Sequence, residues 1–359
     1  MPNLRIVDSC SLQIIVDNSI EWMTKFPPGF TSELATHLQG KPRMDAKTGA
    51  PFVDLDKYCC GAHGLSLLIT TRCWNEVHYT LFDTGPESQT MERNLSSLDV
   101  DMSKVERIVL SHWHRDHSGG IVAALKQATK QGRKDPIVVD LHPDRPFARG
   151  IAPNGNIIGR LPEDPTFEEI EFVGGKVETH AEAHTIAGKT VWISGEIPRV
   201  TSYEEGLLGA VTWYEERNGE GDWQPDELIL DERYAAINVK GKGLVVISSC
   251  SHAGIVNVLK DAVQRFKRPI YMVLGGFHLA SPELAHRIKP TVDFMSKQLQ
   301  PTPKYILPLH CTGFGAKVAL REALGDVIVP AGTGIKIDID GDDDTENDLD
   351  ESSYPSDTE

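Results

Sequence analysis

The chain has no run of about eighteen apolar residues, so no membrane-spanning helix is expected. Its start, Met1 to Val16, lacks a basic region leading into an apolar stretch and a small-residue cleavage site; a secretory signal is not read there, and a cytoplasmic location is expected. Its cysteines (Cys10, Cys59, Cys60, Cys73, Cys250, Cys311) form no CxxC pair and are read as free thiols rather than a disulfide framework. Positive charge is also short: 36 Lys and Arg stand against 52 Asp and Glu, for a net charge of −16. That balance does not support a basic surface for nucleic acid. Eleven of the carboxylates fall between Asp338 and Glu359, where no Lys or Arg occurs, which leaves the rest of the chain near −5. Residues 336–359 are therefore predicted to be a disordered, solubilising acidic tail, with binding to a basic partner as the lesser reading.

What is present points to metal chemistry. Ser111-His112-Trp113-His114-Arg115-Asp116-His117-Ser118-Gly119 follows the apolar run Ile108-Val109-Leu110 and precedes Gly120 and a helical pattern. Side chains two apart in extended chain point the same way, so His112 and His114 can hold one ion. Asp116 and His117, past the turn, can face a second. Imidazole with carboxylate suits Zn²⁺, Fe²⁺ or Mn²⁺ and leaves positions open for water. A polar turn that merely happens to be rich in His is the bland alternative, and four metal-capable side chains in six positions weigh against it.

The 40% hydrophobic content over 359 residues is ample for a large core. Strands are predicted at Gly64–Thr71, His78–Phe82, Val105–Leu110, Pro136–Leu141, Val191–Ser194, Ile270–Leu274 and Tyr305–Leu309. A hairpin is predicted from Ala235–Val239 and Gly243–Ser248, and helices at Gly120–Lys130, Ile255–Phe266, Pro282–Leu299 and Ala316–Leu324. Residues 143–170, rich in Pro, Gly and Asn, read as a long loop, and 199–226 as an insertion able to form a lid. Val327–Pro330 is expected to end the ordered part. Strands first lead in pairs and later alternate with helices. This fits an α/β fold of two sheets face to face with helices outside, a four-layer αββα sandwich in one catalytic domain over 1–335.

One cluster cannot complete two metal spheres, so further ligands must arrive from later strand ends. Three segments have the form of an apolar strand running into a His flanked by small residues: Cys250-Ser251-His252-Ala253-Gly254, Gly275-Gly276-Phe277-His278 and His310-Cys311-Thr312-Gly313. His180 and His184 compete, but no clean strand precedes them, and they rank below His252.

These runs resemble the metallo-β-lactamase superfamily. More narrowly, they resemble the subgroup named after 7,8-dihydropterin-6-yl-methyl-4-(β-D-ribofuranosyl)aminobenzene 5'-phosphate synthase. The likeness also rests on His63-Gly64-Leu65-Ser66, Phe82-Asp83-Thr84-Gly85 and Ser194-Gly195-Glu196-Ile197-Pro198-Arg199. The resemblance implies the metallo-β-lactamase fold and a dinuclear centre. His112, His114 and His252 would hold one divalent ion and Asp116, His117 and His310 the other, with zinc expected and iron or manganese as alternatives. The superfamily's bridging Asp has no counterpart here: its place falls on the segment ending in His278, which could ligate, contact substrate or act as an acid.

Such a centre lowers the pKa of bound water and, with Asp116 ligating and orienting, supports a hydrolase acting through a metal-bound hydroxide on an ester, lactone or phosphoester. The subgroup's namesake implies a transferase instead, joining a dihydropterin methyl carbon from its diphosphate to an aryl ribofuranosyl phosphate. A non-enzymatic, metal-stabilised binding protein is the third reading. A small, anionic substrate is expected, contacted by His63, Glu196, Arg199 and His278, with Arg199 as the forked anion contact. Asp83 is expected to anchor the ligand loop by hydrogen bonds. Cys250 and Cys311 are expected to pack.

Overall fold

The computed structural model describes residues 2–40, 42–215 and 220–342. Two large sheets face each other. One has eight strands in the order Gly175–Thr179, Ile137–Leu141, Arg107–Val109, Glu76–Phe82, Ser66–Cys73, Ser9–Val16, Lys336–Asp340 and Phe30–Thr31. The other has seven: His184–Ile186, Val191–Ile193, Ala235–Val239, Gly243–Ser248, Ile270–Gly276 and Tyr305–Leu309 in order, with Ile6–Val7 paired beside Ala235–Val239.

The layers follow from the two-residue period of the strands. Leu12, Ile14, Leu67, Ile69 and Phe82 of the first sheet interdigitate with Ile237, Val245, Ile247, Met272 and Leu307 of the second. The intervening residues face outward onto helices. Leu244, Val246 and Val273 pack on Ile255–Phe266 and Phe314–Leu324. Leu81, Ile108 and Val139 pack on Ser88–Ser97 and Ile121–Lys130. Gly243–Ser248 is buried at every position, as a strand covered on both faces must be. The chain is thus the expected four-layer αββα sandwich.

Three expectations change. Residues 143–170 are not one loop. They contain the strands Arg149–Ile151 and Gly159–Arg160 and the helix Phe167–Phe172, capped by Thr166 and Glu169. The 199–226 insertion contributes Ala210–Glu215 and Gly221–Pro225, a hairpin that pairs with Arg149–Ile151 into a third, four-stranded sheet. Trp213 and Trp223 meet edge to face across it at 5.5 Å. Gly150 permits that packing, since a Cβ there would lie 2.9 Å from the Trp223 ring. Finally, neither Pro330 nor residue 335 ends the ordered chain. Lys336–Asp340 is a strand inserted between Ser9–Val16 and Phe30–Thr31. Its Ile337 and Ile339 are buried while Lys336, Asp338 and Asp340 face out. The alternation Ile-Asp-Ile-Asp is a half-buried strand, which the acidic composition disguised as tail. From residue 343 onward the acidic segment lies outside the described residues. Among the described residues no helix is long and apolar enough to cross a membrane.

Candidate metal centre

The polar loops after Phe82, Val109, Ser248, Gly276 and Leu309 gather at the C-terminal ends of strands from both sheets. After Arg107–Val109 the chain bends through Ser111–Trp113, where the His114 amide donates to the His112 carbonyl at 2.9 Å, and then turns into the one-turn helix Arg115–Ser118. That turn lies against the loop after Phe82 with no space for side chains. A Cβ on Gly119 would meet the Pro86 carbonyl oxygen at 1.8 Å, and one on Gly120 the Thr84 carbonyl oxygen at 2.1 Å. The paired glycines therefore set how closely the histidine loop approaches.

Asp83 ties the loops together. Its buried carboxylate accepts from the Ser111 amide at 2.7 Å, the Ser111 hydroxyl at 2.8 Å and the Ser249 hydroxyl. It also lies 2.8 Å from His117 Nδ1, which leaves Nε2 of that ring facing the centre. The anchoring role expected for Asp83 matches this geometry.

Two groups of ligand atoms result. His112 Nε2 and His114 Nδ1 are 2.9 Å apart, and His252 Nε2 lies 3.2 Å from each. A tetrahedral shell with bonds of 2.0–2.1 Å spaces its nitrogens by about 3.3 Å, so this triangle has the dimensions of one face of a zinc shell. In the second group Asp116 Oδ2 lies 3.3 Å from His310 Nε2 and 3.6 Å from His117 Nε2, and Cys250 Sγ lies 3.1 Å from His117 Nε2. His310 Nε2 is buried without a hydrogen bond, while its Nδ1 is held 2.9 Å from Asn18 Oδ1. An orphaned imidazole nitrogen aimed at a carboxylate and a thiol fits a divalent cation.

Electrostatics favour the same use. Burial holds His112 and His252 well below the ordinary imidazole value and takes His114 to about 3, so these rings stay neutral, as metal binding would require. Burial opposes the charge on Asp116, but His117 and His310 outweigh it and hold the carboxyl well below its usual range. Burial likewise opposes charge on His117, yet Asp116 and Asp83 raise it to about 9. The second group attracts positive charge.

The loop before Tyr234 supplies supports that sequence reasoning missed. Asp231 accepts from the Trp113 amide at 2.6 Å and pairs with Arg149 at 2.6 Å, fixing the HxH backbone. Glu232 accepts from the His252 and Ala253 amides at 2.8 and 2.7 Å, and burial lifts its carboxyl to about 7. Arg233 is 1% exposed and binds Asp140 at 2.9 Å. The available signal was three consecutive charged residues running directly into a buried strand.

A cavity of about 540 Å³ opens over the centre. His63, His114, Asp116, His252, His278 and His310 reach it, and Ile151, Leu161, Leu207, Leu208 and Val211 form an apolar wall from the third sheet and its loops. His63 Nε2 lies 3.6 Å from Asp116 Oδ2. His278 joins neither histidine group: its ring lies 4.5 Å from that of His252, near Cys250 and Cys311. Glu196 and Arg199 do not line the cavity. Glu196 is exposed, and the Arg199 guanidinium donates to the Leu228 carbonyl. The GEIPR run turns away over the Leu228 loop, and the cavity's arginines are instead Arg115 and Arg149. Arg149 is committed to Asp226 and Asp231; Arg115 has no carboxylate within ion-pair distance among the described residues. His184 lies 2.8 Å from Asp140 and stacks on His180, but Arg107 and Arg233 already pair with that carboxylate at 2.9 Å each. That cluster is an ion-pair network, in keeping with its lower rank.

Comparison with known proteins agrees with the fold and the motifs. The sequence model of the metallo-beta-lactamase superfamily matches residues 64–196. The 7,8-dihydropterin-6-methyl-4-(beta-D-ribofuranosyl)-aminobenzene-5'-phosphate synthase of Methanocaldococcus jannaschii is 30% identical over 267 residues, covering 72% of this chain and 84% of the relative. An uncharacterized protein of the same organism is 31% identical over 264 residues, covering 72% and 88%. Tm1679, described as a metal-dependent hydrolase of the beta-lactamase superfamily, superposes with a TM-score of 0.63 at 22% identity, covering 92% of this chain and 99% of that one. The layered sandwich, the histidine-rich strand ends and these likenesses together place the chain in the metallo-beta-lactamase superfamily, among the proteins similar to the dihydropterin–aminobenzene phosphate synthase.

Proposed function

We propose that the chain is a metal-dependent hydrolase of a small anionic ester, lactone or phosphoester. The observation that carries this reading is the opening of both ligand groups onto the floor of one cavity, where the Asp116 side chain is the partly exposed ligand at 24%. His112, His114 and His252 would hold one cation, and Asp116, His117 and His310 the other. Bound there, divalent ions supply Lewis acidity and bring water towards ionisation near neutral pH. Asp116 Oδ2 faces both the centre and the cavity, so it can accept a proton from an attacking water. His63, 3.6 Å away at the mouth, can relay that proton to solvent. His278, on the cavity wall, is placed to protonate a leaving group. Arg115 offers charge to an anionic substrate, and the Leu207–Val211 wall takes its apolar part.

A second reading has its own support. The 30% identity to the dihydropterin synthase, over 84% of that enzyme, favours transfer of a pterin methyl carbon to an aryl acceptor. The apolar wall would accept a flat ring as readily as an acyl chain. The test offers metal-loaded protein two panels. One contains lactones, carboxylic esters and phosphodiesters; the other contains a dihydropterin diphosphate with an aryl ribofuranosyl phosphate. Chelator-sensitive cleavage in the first supports hydrolysis. A coupled product without cleavage moves the assignment to transfer. Metal-loaded protein inert towards both would leave a binding role.

A further inference from the structure

We infer that the Cys250 thiolate is the ligand shared by the two metal positions; this rests on the metal-binding reading above and goes beyond it. Cys250 follows Gly243–Ser248 and is 3% exposed. Its Sγ belongs to both ligand groups, Asp116–His117–Cys250–His310 and His112–Cys250–His252, and within each group all ligand atoms lie within 4.8 Å of one another. No other described ligand atom is common to the two. The neighbouring hydroxyls turn elsewhere: Ser249 Oγ donates to Asp83, and Ser251 Oγ donates to the Gly276 carbonyl at 2.7 Å. The thiol alone of that loop points between the histidines.

The adjacent strand, Ile270–Gly276, brings no carboxylate. Its last two residues are glycines because the Cys250 loop lies against them: a Cβ on Gly275 would sit 1.7 Å from the Ser248 carbonyl oxygen, and one on Gly276 2.4 Å from that of Ser249. The strand end that could have presented a bridging side chain is instead a seat for the loop that presents Cys250. Cys311 is the rival sulfur. It donates to the Cys250 carbonyl at 3.5 Å and groups with Cys250 and His278, but with neither histidine set.

The charges suit this assignment. Cys250 loses its S–H proton to solvent as the metal–sulfur bonds form, so the thiolate and Asp116 each bring one negative charge among neutral imidazoles. A soft thiolate also narrows the metal, favouring zinc or iron over manganese or magnesium.

The test uses full-length protein loaded with zinc for X-ray absorption and with cobalt(II) for electronic spectra. Metal content is measured in both. The wild type should hold two ions per chain, show a sulfur neighbour at about 2.3 Å and give a thiolate-to-cobalt charge-transfer band. Cys250→Ser should lose the sulfur signal and at least half of the metal, whereas Cys311→Ser should keep both. Two bound ions with only nitrogen and oxygen neighbours in the wild type would overturn the inference and leave the metal reading standing, whether or not the Ser variant folds. A sulfur signal that survives in Cys250→Ser and disappears in Cys311→Ser would also overturn it. Wild-type protein that binds no metal would overturn both.

Discussion

Asp83 offers the most discriminating test of how this centre is built. It is fully buried, and four donors converge on its carboxylate from two loops, that of Ser111 and His117 and that of Ser249. The Ser111 and Ser249 hydroxyls can rotate to other acceptors, and Ser111 Oγ already lies 2.9 Å from His112 Nδ1. The Ser111 amide and the His117 Nδ1–H cannot. Asp83→Ala therefore strands two buried donors, at about 1–3 kcal/mol each. Asp83 also sits at φ 58°, where an Ala pays a further ~1–2 kcal/mol and an Asn is tolerated. The Ala variant should lose about 3–8 kcal/mol, enough to unfold many domains of ordinary stability. Asp83→Asn keeps the shape, the backbone preference and one acceptor oxygen. It should stay folded and lose about 1–3 kcal/mol, read as a drop of a few degrees in Tm for a chain of this size. With His117 less firmly oriented, its metal affinity should fall 10- to 100-fold. The assay is a competition titration of the apo Asn variant against a chromophoric chelator, with thermal melts of both apo proteins. Wild-type affinity within threefold, combined with an unchanged apo Tm, would refute the claim that Asp83 holds the ligand loop.

Other consequences are equally direct. His114→Ala should abolish metal-dependent turnover and empty the three-histidine position while the far-UV spectrum is retained; wild-type metal content would remove His114 from the ligand set. Truncation after residue 342 should leave Tm and activity unchanged, whereas truncation after 335 removes a paired strand with the buried Ile337 and Ile339 and should cost at least ~3–6 kcal/mol; equal Tm values for the two would contradict the strand. Asp140→Asn leaves Arg233 buried without its charge partner and should destabilise by about 3–5 kcal/mol near neutral pH. Burial opposes the Asp140 charge, but His184, Arg233 and Arg107 outweigh it and hold the carboxyl well below the usual range. With the folded-state value depressed, this stabilisation is complete above the unfolded value near 4 and drains away as the pH falls below it. The Tm gap between Asp140→Asn and wild type should therefore be wide at pH 6 and narrower at pH 3; a constant gap would show that the charge is not responsible.

The fold was legible wherever local pattern and tertiary environment agree. Gly243–Ser248 and Tyr305–Leu309 are apolar at nearly every position and end in turn residues, so their burial on both faces could be read directly. The third sheet could not. Arg149–Ile151 has three residues with a glycine at its centre, and what makes it a strand is the hairpin about sixty residues later that pairs with it. Lys336–Asp340 failed for another reason. Composition over a long window outweighed a two-residue alternation that lasts only five positions, and only the open edge beside Ser9–Val16 turns that alternation into a strand.

The site divides along the same physical line. His112, His114, Asp116 and His117 are neighbours in sequence, so their convergence is a local matter of a bent loop and one helical turn. His252 and His310 stood out as candidates because each closely follows an apolar strand. The roles of Cys250 and Arg199 could not be found that way, since both depend on where a side chain points after the sheets have packed. Cys250 has the sequence of a small, buried packing residue, and its burial is real; what distinguishes it is 3.1 Å to a histidine 133 positions away. Arg199 has the sequence of an anion clamp, yet the cavity lies on the far side of its loop and the guanidinium is spent on the Leu228 carbonyl. Arg115, inside the histidine motif, lines the cavity instead, with its guanidinium donating to the Glu163 carbonyl at 2.6 Å.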